Sequence, residues 1–204
     1  MRKELAVLGV TAALIVGCSP DKPVPTAAFE IRTPLYAVGG QGDFNLGTHM
    51  TGDEEFCPAC VTSTPADSKA QGEAIFRVSS DGSTVDFRLI ASNIDNVIMS
   101  HIHCGPPGVN GPIRMWLYPV IGPAGAPAPS GAGPQNGVLA SGSFNPTGVI
   151  CPASAVGSNM PLLDAMRAGL TYVNVHTNDG TDGVNTGPGD FPGGEIRGQL
   201  DHGR

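Results

Sequence analysis

Short runs in which apolar and polar residues alternate recur along the chain. Side chains in an extended strand point to opposite faces in turn, so this alternation predicts half-buried β-strands. Glycine and proline interrupt the runs and predict turns between them. The predicted strands are residues 71–78, 84–91, 97–103, 138–144, 170–177 and 195–200, with another apolar run ending at Tyr118 and weaker candidates at 29–38 and 44–50.

The connections between these runs favour an antiparallel arrangement. Asp81-Gly82 separates two of the runs and is typical of a tight hairpin turn. Residues 161–168, PLLDAMRA, are predicted to form a helix, with Pro161 at its first position and Gly169 after its end. Many short strands with one short helix predict an all-β fold, an antiparallel Greek-key-like β-sandwich or partly closed barrel.

The stretch 97–118, VIMSHIHCGPPGVNGPIRMWLY, carries two histidines at the end of an alternating run. Strand periodicity places Val97, Met99, His101 and His103 on one face. Two imidazoles on one face of a strand either bind something or belong to a buried polar network. The stretch is therefore the first candidate for a functional site.

Composition limits the partners that this chain can have. Charged residues make up only 14% and the net charge is −7, without a cluster of lysine or arginine. This balance argues against nucleic acid and anionic lipid headgroups as partners. The 29 glycines and 19 prolines concentrate in stretches such as 119–137 and 178–194, which are predicted to be long surface loops.

The N-terminus has the pattern of a secretory signal. Arg2 and Lys3 precede an apolar segment at 5–16, which is too short to span a membrane. The segment ends in Ile-Val-Gly followed by Cys18, which resembles a bacterial lipobox. We therefore expect a lipoprotein signal peptide at 1–17 and lipidation of Cys18; the alternative is an ordinary signal peptide or a membrane stub.

Export would place the mature chain in the cell envelope. The Pro-rich residues 18–28 are predicted to tether a domain that occupies 29–204. Ser19 is the residue that such signals use for the outer membrane if the host is Gram-negative. The expected location is thus a lipid anchor in the envelope, facing the periplasm or the cell surface.

Four cysteines remain after Cys18. An exported domain is in an oxidising compartment, so Cys57, Cys60, Cys104 and Cys151 are predicted to form two disulfides. One connectivity pairs Cys57 with Cys60 and therefore Cys104 with Cys151. The CxxC could also be redox-active or half of a zinc site, but neither a βαβ pattern nor a second CxxC accompanies it.

A third histidine makes a metal site conceivable. His176 lies in the predicted strand 170–177, on the face that carries Asn174. A His-x-His pair with another histidine on a neighbouring strand is suited to copper or zinc, since both bind neutral imidazole. Asn174 or Glu195 could orient the rings.

Two alternatives to the metal site remain open. The same polar residues could satisfy one another as a structural network, or they could face solvent as a surface array. The network would consist of His101, His103, Asn174, His176, Glu195 and Arg197. The acidic trio at 53–55 is interpreted as a solvated loop, with calcium binding as the alternative.

Three motifs resemble the chordin-type domain, CHRD. They are HIHCGPPGVNGPI at 101–113, AMRAGLTYVNVHT at 165–177 and GEIRGQL at 194–200. An upstream G-x-x-E-x-x-P element of that family is matched loosely by Gly52, Glu55 and Pro58, and the similarity covers about 51–200. The CxxC, the long loops and Ser100 depart from the family pattern.

The resemblance implies an all-β extracellular domain more than an activity. In animal chordin the domain belongs to an antagonist of secreted signalling proteins, and many bacterial members are exported proteins. It therefore implies a binding or structural module with an extracellular protein as a partner, while the lipid anchor expected at Cys18 makes the membrane a second partner. A copper- or zinc-binding protein with a redox role is the alternative. Neither a phosphate loop nor a nucleophile–base pair favours an enzyme.

Overall fold

The computed structural model describes residues 44–60, 63–120, 127–181 and 186–202. The predicted signal peptide at 1–17, the tether at 18–28 and the weak strand at 29–38 lie outside the described residues. Within the described ranges, none of the helices combines the length and the apolarity needed to cross a bilayer.

The described part of the chain is built mainly from short strands, as predicted. Its two α-helices are α1, Ala153–Val156, and α2, Leu162–Arg167, and two 3-10 turns occupy Gly52–Glu54 and Pro65–Asp67. The strands are β1 Phe44–Thr51, β2 Gln71–Val78, β3 Val85–Asp95, β4 Val97–Cys104, β5 Ile113–Tyr118, β6 Pro134–Phe144, β7 Ile150–Cys151, β8 Met160–Pro161, β9 Thr171–Thr177, β10 Ile196–Gln199 and β11 Asp201–His202.

One antiparallel sheet contains most of these strands. Its order is β5-β4-β9-β10-β1-β2-β3-β6, with β11 paired to β1, while β7 and β8 form a separate pair. The two edge strands, β5 and β6, also contact each other, so that the sheet is nearly closed into a barrel. The predicted all-β antiparallel fold is confirmed, in the form of a partly closed barrel.

The hairpin of β2 and β3 shows how alternation builds the core. Phe76 and Phe87 are directly opposite in the register and their ring centroids are 6.5 Å apart on the buried face. The turn between the strands contains Gly82 at φ 71°, a left-handed conformation that glycine adopts without strain. The predicted hairpin is thus confirmed.

Helix α2 covers part of the core with an apolar face. Its Leu162, Ala165 and Met166 are fully buried. Pro161 precedes the first helical residue, and Gly169 ends the turn at φ 69°. The helix predicted at 161–168 is confirmed.

The loop predicted at 119–137 is shorter than its composition suggested. Strand β6 begins at Pro134, and residues 134–137 pair with β3, which continues to Asp95 rather than ending at Ala91. The prediction was wrong here because a strand at the edge of a sheet tolerates glycine and proline. The N–H that proline lacks can lie on the side without a neighbouring strand, and the other backbone groups still pair. Of the rest of that loop, residues 121–126 lie outside the described residues.

Both disulfides form with the connectivity considered from the sequence. Cys57 pairs with Cys60 in the loop after the first 3-10 turn, with Cα atoms 5.4 Å apart. Cys104 pairs with Cys151 at a Cα distance of 5.6 Å and is fully buried. The second bridge joins the end of β4 to β7.

Candidate metal centre

A bulge in β4 determines which side chains share the outer face of the barrel. The register with β9 shifts between Val97 and Met99. Val97 therefore joins the apolar core, whereas Met99 lies on the opposite face with His101 and His103. The prediction that Val97 shares the histidine face was wrong, because uninterrupted alternation assumes a strand without a bulge.

Polar residues line up across the strands on this outer face. His101 is opposite Asn174 of β9, and Asn174 is opposite Arg197 of β10. On either side of this pair along β4 and β9, His103 is opposite Tyr172 and Met99 is opposite His176. His101 and His103 are two residues apart on one face of β4, and His176 lies diagonally across from His101. Diagonal neighbours are about 7–8 Å apart, within reach of long side chains, so the register places the three histidines close together.

Loops bury this outer face. The segment 105–112 and the segment 187–195 hydrogen-bond to side chains of the face. His101 is 0% exposed, His103 7% and His176 6%. These polar side chains are consequently removed from water, and each needs a partner or a ligand.

The three imidazoles converge on one point. One ring nitrogen from each of His101, His103 and His176 can be chosen so that all three lie within 4.8 Å of one another. The ring of His101 lies centrally, with its centroid 5.5 Å from that of His103 and 5.1 Å from that of His176. The rings of His103 and His176 are 6.3 Å apart.

Backbone carbonyls orient two of the rings. Nδ1 of His103 lies 2.8 Å from the carbonyl oxygen of Gly111, and Nδ1 of His176 lies 2.8 Å from that of Pro192. A carbonyl oxygen only accepts, so each Nδ1 carries the proton and donates it. In neutral His103, the lone pair is then on Nε2, the atom needed for a metal ligand. Nε2 of His176 lies 3.0 Å from Oδ1 of Asn174, and this contact has to be given up for the nitrogen to bind a metal.

His101 differs because neither of its ring nitrogens has a hydrogen-bond partner among the described residues. Its ring meets that of Trp116 edge-on, with a centroid distance of 4.2 Å. A fully buried imidazole without a partner is energetically unfavourable. Such a group calls for a specific explanation, and a bound cation would supply one.

Burial keeps all three histidines neutral. It lowers the pKa of His101 to about 3, and repulsion between protonated rings at His176 and His103 would act in the same direction. It lowers the pKa of His176 to about 4, against the effect of the hydrogen bond to Pro192, and it lowers that of His103. Neutral imidazole is the form that binds a metal ion.

The arrangement fits a first-row transition metal. Nitrogens that bind one ion at about 2.0–2.1 Å are separated by roughly 3.3–3.6 Å. The observed limit of 4.8 Å between the nitrogens exceeds this separation by roughly 1.2–1.5 Å, a distance that rotations of the rings about their side-chain torsions can close. The donor set contains only imidazole, which suits copper and zinc.

Asn174 connects this cluster to a buried acid. Its Oδ1 lies 3.0 Å from Nε2 of His176, and its amide is also beside Glu55. Burial raises the pKa of Glu55 to about 7, although Arg197, the Phe56 amide and Asn174 all lower it. Glu55 is therefore only partly ionised at neutral pH.

Arg197 supports the covering loop rather than the histidines. Its guanidinium carbon stacks 3.4 Å above the centroid of the Tyr172 ring, which in turn stacks on His103 at 4.8 Å. Its Nη2 donates to the carbonyl oxygens of Pro106 and Val109. The stack fixes both the ring plane of His103 and the path of the loop.

The polar residues that were predicted to form one network thus belong to separate groups in the structure. It brings His101, His103, His176 and Asn174 together. The carboxylate of Glu195 instead accepts hydrogen bonds from Ser68, Thr177 and Gly189. Within the described ranges, no hydrogen bond joins that carboxylate to a histidine.

Several contributors to the site were not found from the sequence. The carbonyls of Gly111 and Pro192 have no side-chain signal. The stacking of Tyr172 and the edge contact of Trp116 depend on cross-strand register. Glu55 was assigned to a solvated acidic loop, although its place in the loosely matched family element was a usable signal.

The comparisons with known proteins agree with the motifs. The CHRD domain family matches residues 46–200, which include every strand from β2 to β10. No curated protein and no solved structure matches the chain.

Proposed function

Because the chain belongs to the CHRD domain family, we propose that it is an exported binding module of the cell envelope whose ligand is a copper or zinc ion. Family membership supports a structural or binding role. The ligands of the ion are His101, His103 and His176.

One observation carries the metal proposal. Three buried, neutral imidazoles converge with ring nitrogens within 4.8 Å of one another, and two of them have Nδ1 bound to a carbonyl. A purely structural network would be expected to pair its members, yet Nε2 of His103 and both nitrogens of His101 have no partner among the described residues.

The experiment uses asparagine in place of the two oriented histidines. In His103→Asn and His176→Asn the amide nitrogen takes the place of Nδ1, so the bond to the carbonyl is kept while the Nε2 ligand is lost. Protein purified without a His-tag should bind one equivalent of Cu²⁺ or Zn²⁺. We expect each variant to lose about tenfold or more in affinity with little change in melting temperature.

His49→Asn is the matched control, because His49 is exposed on β1 and pairs with Glu73. It should bind metal as the wild type does. If the wild type takes up no metal by elemental analysis, or if the two site variants only melt at lower temperature, the histidines form a structural network and the metal proposal fails.

Export and lipid anchoring are the second part of the proposal. They are supported by the basic and apolar pattern before Cys18 and by the two disulfides, which suit an oxidising compartment. In a Gram-negative host, the wild type should incorporate a labelled fatty acid and fractionate with membranes. Cys18→Ala should do neither; unchanged labelling of this variant would refute lipidation at Cys18.

A further inference from the structure

Met99 stands beside the histidine cluster, and its side chain is of the type that distinguishes copper from zinc. The bulge in β4 places it on the outer face, directly opposite His176 and two residues from His101. An opposite pair in an antiparallel ladder has Cβ atoms about 4.5–5.5 Å apart. The flexible thioether of methionine can therefore reach the point on which the imidazoles converge.

We propose that Met99 supplies a thioether as the fourth ligand and that the site is a copper site which favours Cu(I) over Zn(II). This proposal rests on the metal-binding function proposed above. It adds a ligand and the identity of the ion.

Ligand chemistry supports the choice of copper. Thioether sulfur is a soft donor that selects Cu(I), whereas zinc binds imidazole, thiolate and carboxylate. Three imidazoles with one thioether contain no anionic donor. Zinc would gain nothing from the methionine and would need an additional oxygen ligand to complete a tetrahedral set.

The charges around the site support the lower oxidation state. All four donors are neutral, and the nearby Glu55 is only partly ionised at neutral pH. Arg197 lies one strand beyond Asn174 and contributes a positive charge. The desolvation penalty of an ion rises with the square of its charge, so a buried site of this kind favours a monovalent ion over a divalent one.

The test compares Met99→Leu with Met115→Leu. Met115 is opposite Ile102 and packs against the core, so the same substitution there leaves the outer face intact. Cu(I), delivered anaerobically as its acetonitrile complex, and Zn(II) are each titrated in competition with a chromophoric chelator. We expect Met99→Leu to weaken Cu(I) binding by about tenfold or more and to change Zn(II) binding by less than about twofold.

X-ray absorption of the copper-loaded wild type gives a readout that does not depend on how the variant folds. It should show one sulfur neighbour in addition to imidazole nitrogen, which Met99→Leu should lack and Met115→Leu should retain. An all-nitrogen copper site, unchanged Cu(I) affinity in Met99→Leu, or tighter binding of Zn(II) than of Cu(I) by the wild type would each overturn the proposal.

These failures are distinguishable from failure of the metal-binding function itself. If His103→Asn and His176→Asn abolish binding while Met99→Leu does not, the histidine site stands and the thioether does not belong to it. If the wild type binds neither ion, both proposals fail together.

Discussion

Strands β2 and β9 use the same sheet in two different ways. In β2, Ala74, Phe76 and Val78 are buried, and Glu73 and Arg77 on the other face are exposed. In β9 all 7 residues are buried, including the polar Asn174 and His176. One strand separates core from solvent, and the other separates an apolar core from a second, polar interior.

This contrast between the two strands indicates which face of the sheet is suited to bind a ligand. On β2 and β3 an outward polar side chain is solvated by water, so its identity has little consequence. On β4, β9 and β10, loops cover the outer face, and a polar side chain must find a partner within the protein or a ligand. Here that face carries His101, His103, His176 and Arg197.

Among the substitutions that test this contrast, the largest loss of stability is expected at Arg197. Arg197→Ala removes the stack on Tyr172 and leaves the carbonyls of Pro106 and Val109 without their donor in a covered site. We expect a loss of about 3–5 kcal/mol in the free energy of unfolding, because buried partners remain unpaired. Urea denaturation of the metal-free protein measures it; a loss below about 1 kcal/mol would show that the outer face is not a true interior.

Acid should destabilise the metal-free protein through the same face. Burial lowers the pKa of His101 to about 3 and of His176 to about 4, and it also lowers that of His103. The unfolded chain then binds protons below about pH 6.5 that the folded chain does not, and stability falls as the pH drops.

Glu55 and Glu195 oppose this trend in part of the range. Their pKa values are raised by burial, that of Glu55 to about 7, so the folded chain binds protons that the unfolded chain releases above about pH 4.5. The free energy of unfolding should therefore decline gently as the pH falls from about 6.5 to 4.5, and more steeply just below that. The slope is up to about 1.4 kcal/mol per pH unit for each proton that the unfolded chain binds in excess of the folded chain. Urea unfolding with EDTA at several pH values checks this, and His103→Asn should flatten the steep part.

Replacing His101 should raise the free energy of unfolding, whereas most substitutions of buried residues lower it. His101→Phe removes two buried nitrogens that lack partners and keeps the edge contact with Trp116. We expect the metal-free protein to become more stable by about 1–2 kcal/mol while metal binding is lost. A structural network predicts the reverse, a less stable protein, so the sign of the change in a calorimetric or urea measurement decides between the two roles.

The smallest effect is expected at Arg88, the counterpart of Arg197 in the alternating half. Arg88 is exposed on the outer face of β3 and opposite Ile75. Arg88→Ala should change the free energy of unfolding by no more than about 0.5 kcal/mol. If it matched Arg197→Ala in urea denaturation, the contrast between the two halves would be lost.

Much of the fold could be predicted because the signals are local. Strict alternation in β2, the Asp81-Gly82 turn, and the proline and glycine that flank α2 each depend on a few neighbouring residues, and all three predictions are confirmed. The bulge at Val97–Met99 could not be predicted, because it arises from pairing with β9, which is distant in the chain.

The candidate site, like the fold, could be predicted from the sequence only in part. From the sequence, His101, His103 and His176 could be selected as one group, because each lies at a definite position in an alternating strand and in a family motif. Their convergence, the carbonyls of Gly111 and Pro192, and the absence of any partner for His101 within the described ranges depend on how loops fold back over the sheet.

The sequence was sufficient to predict most of the longer strands, helix α2, the family, and the cysteines and three histidines as candidates, since local periodicity and motif spacing carry this information. The three-dimensional fold was needed to show that the face carrying these histidines is buried under loops. It also decided that Met99 lies on that face and Val97 does not. Burial and cross-strand register are set by contacts between segments that are distant in the chain, and a local pattern does not contain them. These contacts bring the two histidines of the motif His-Ile-His together with His176 in one candidate metal centre.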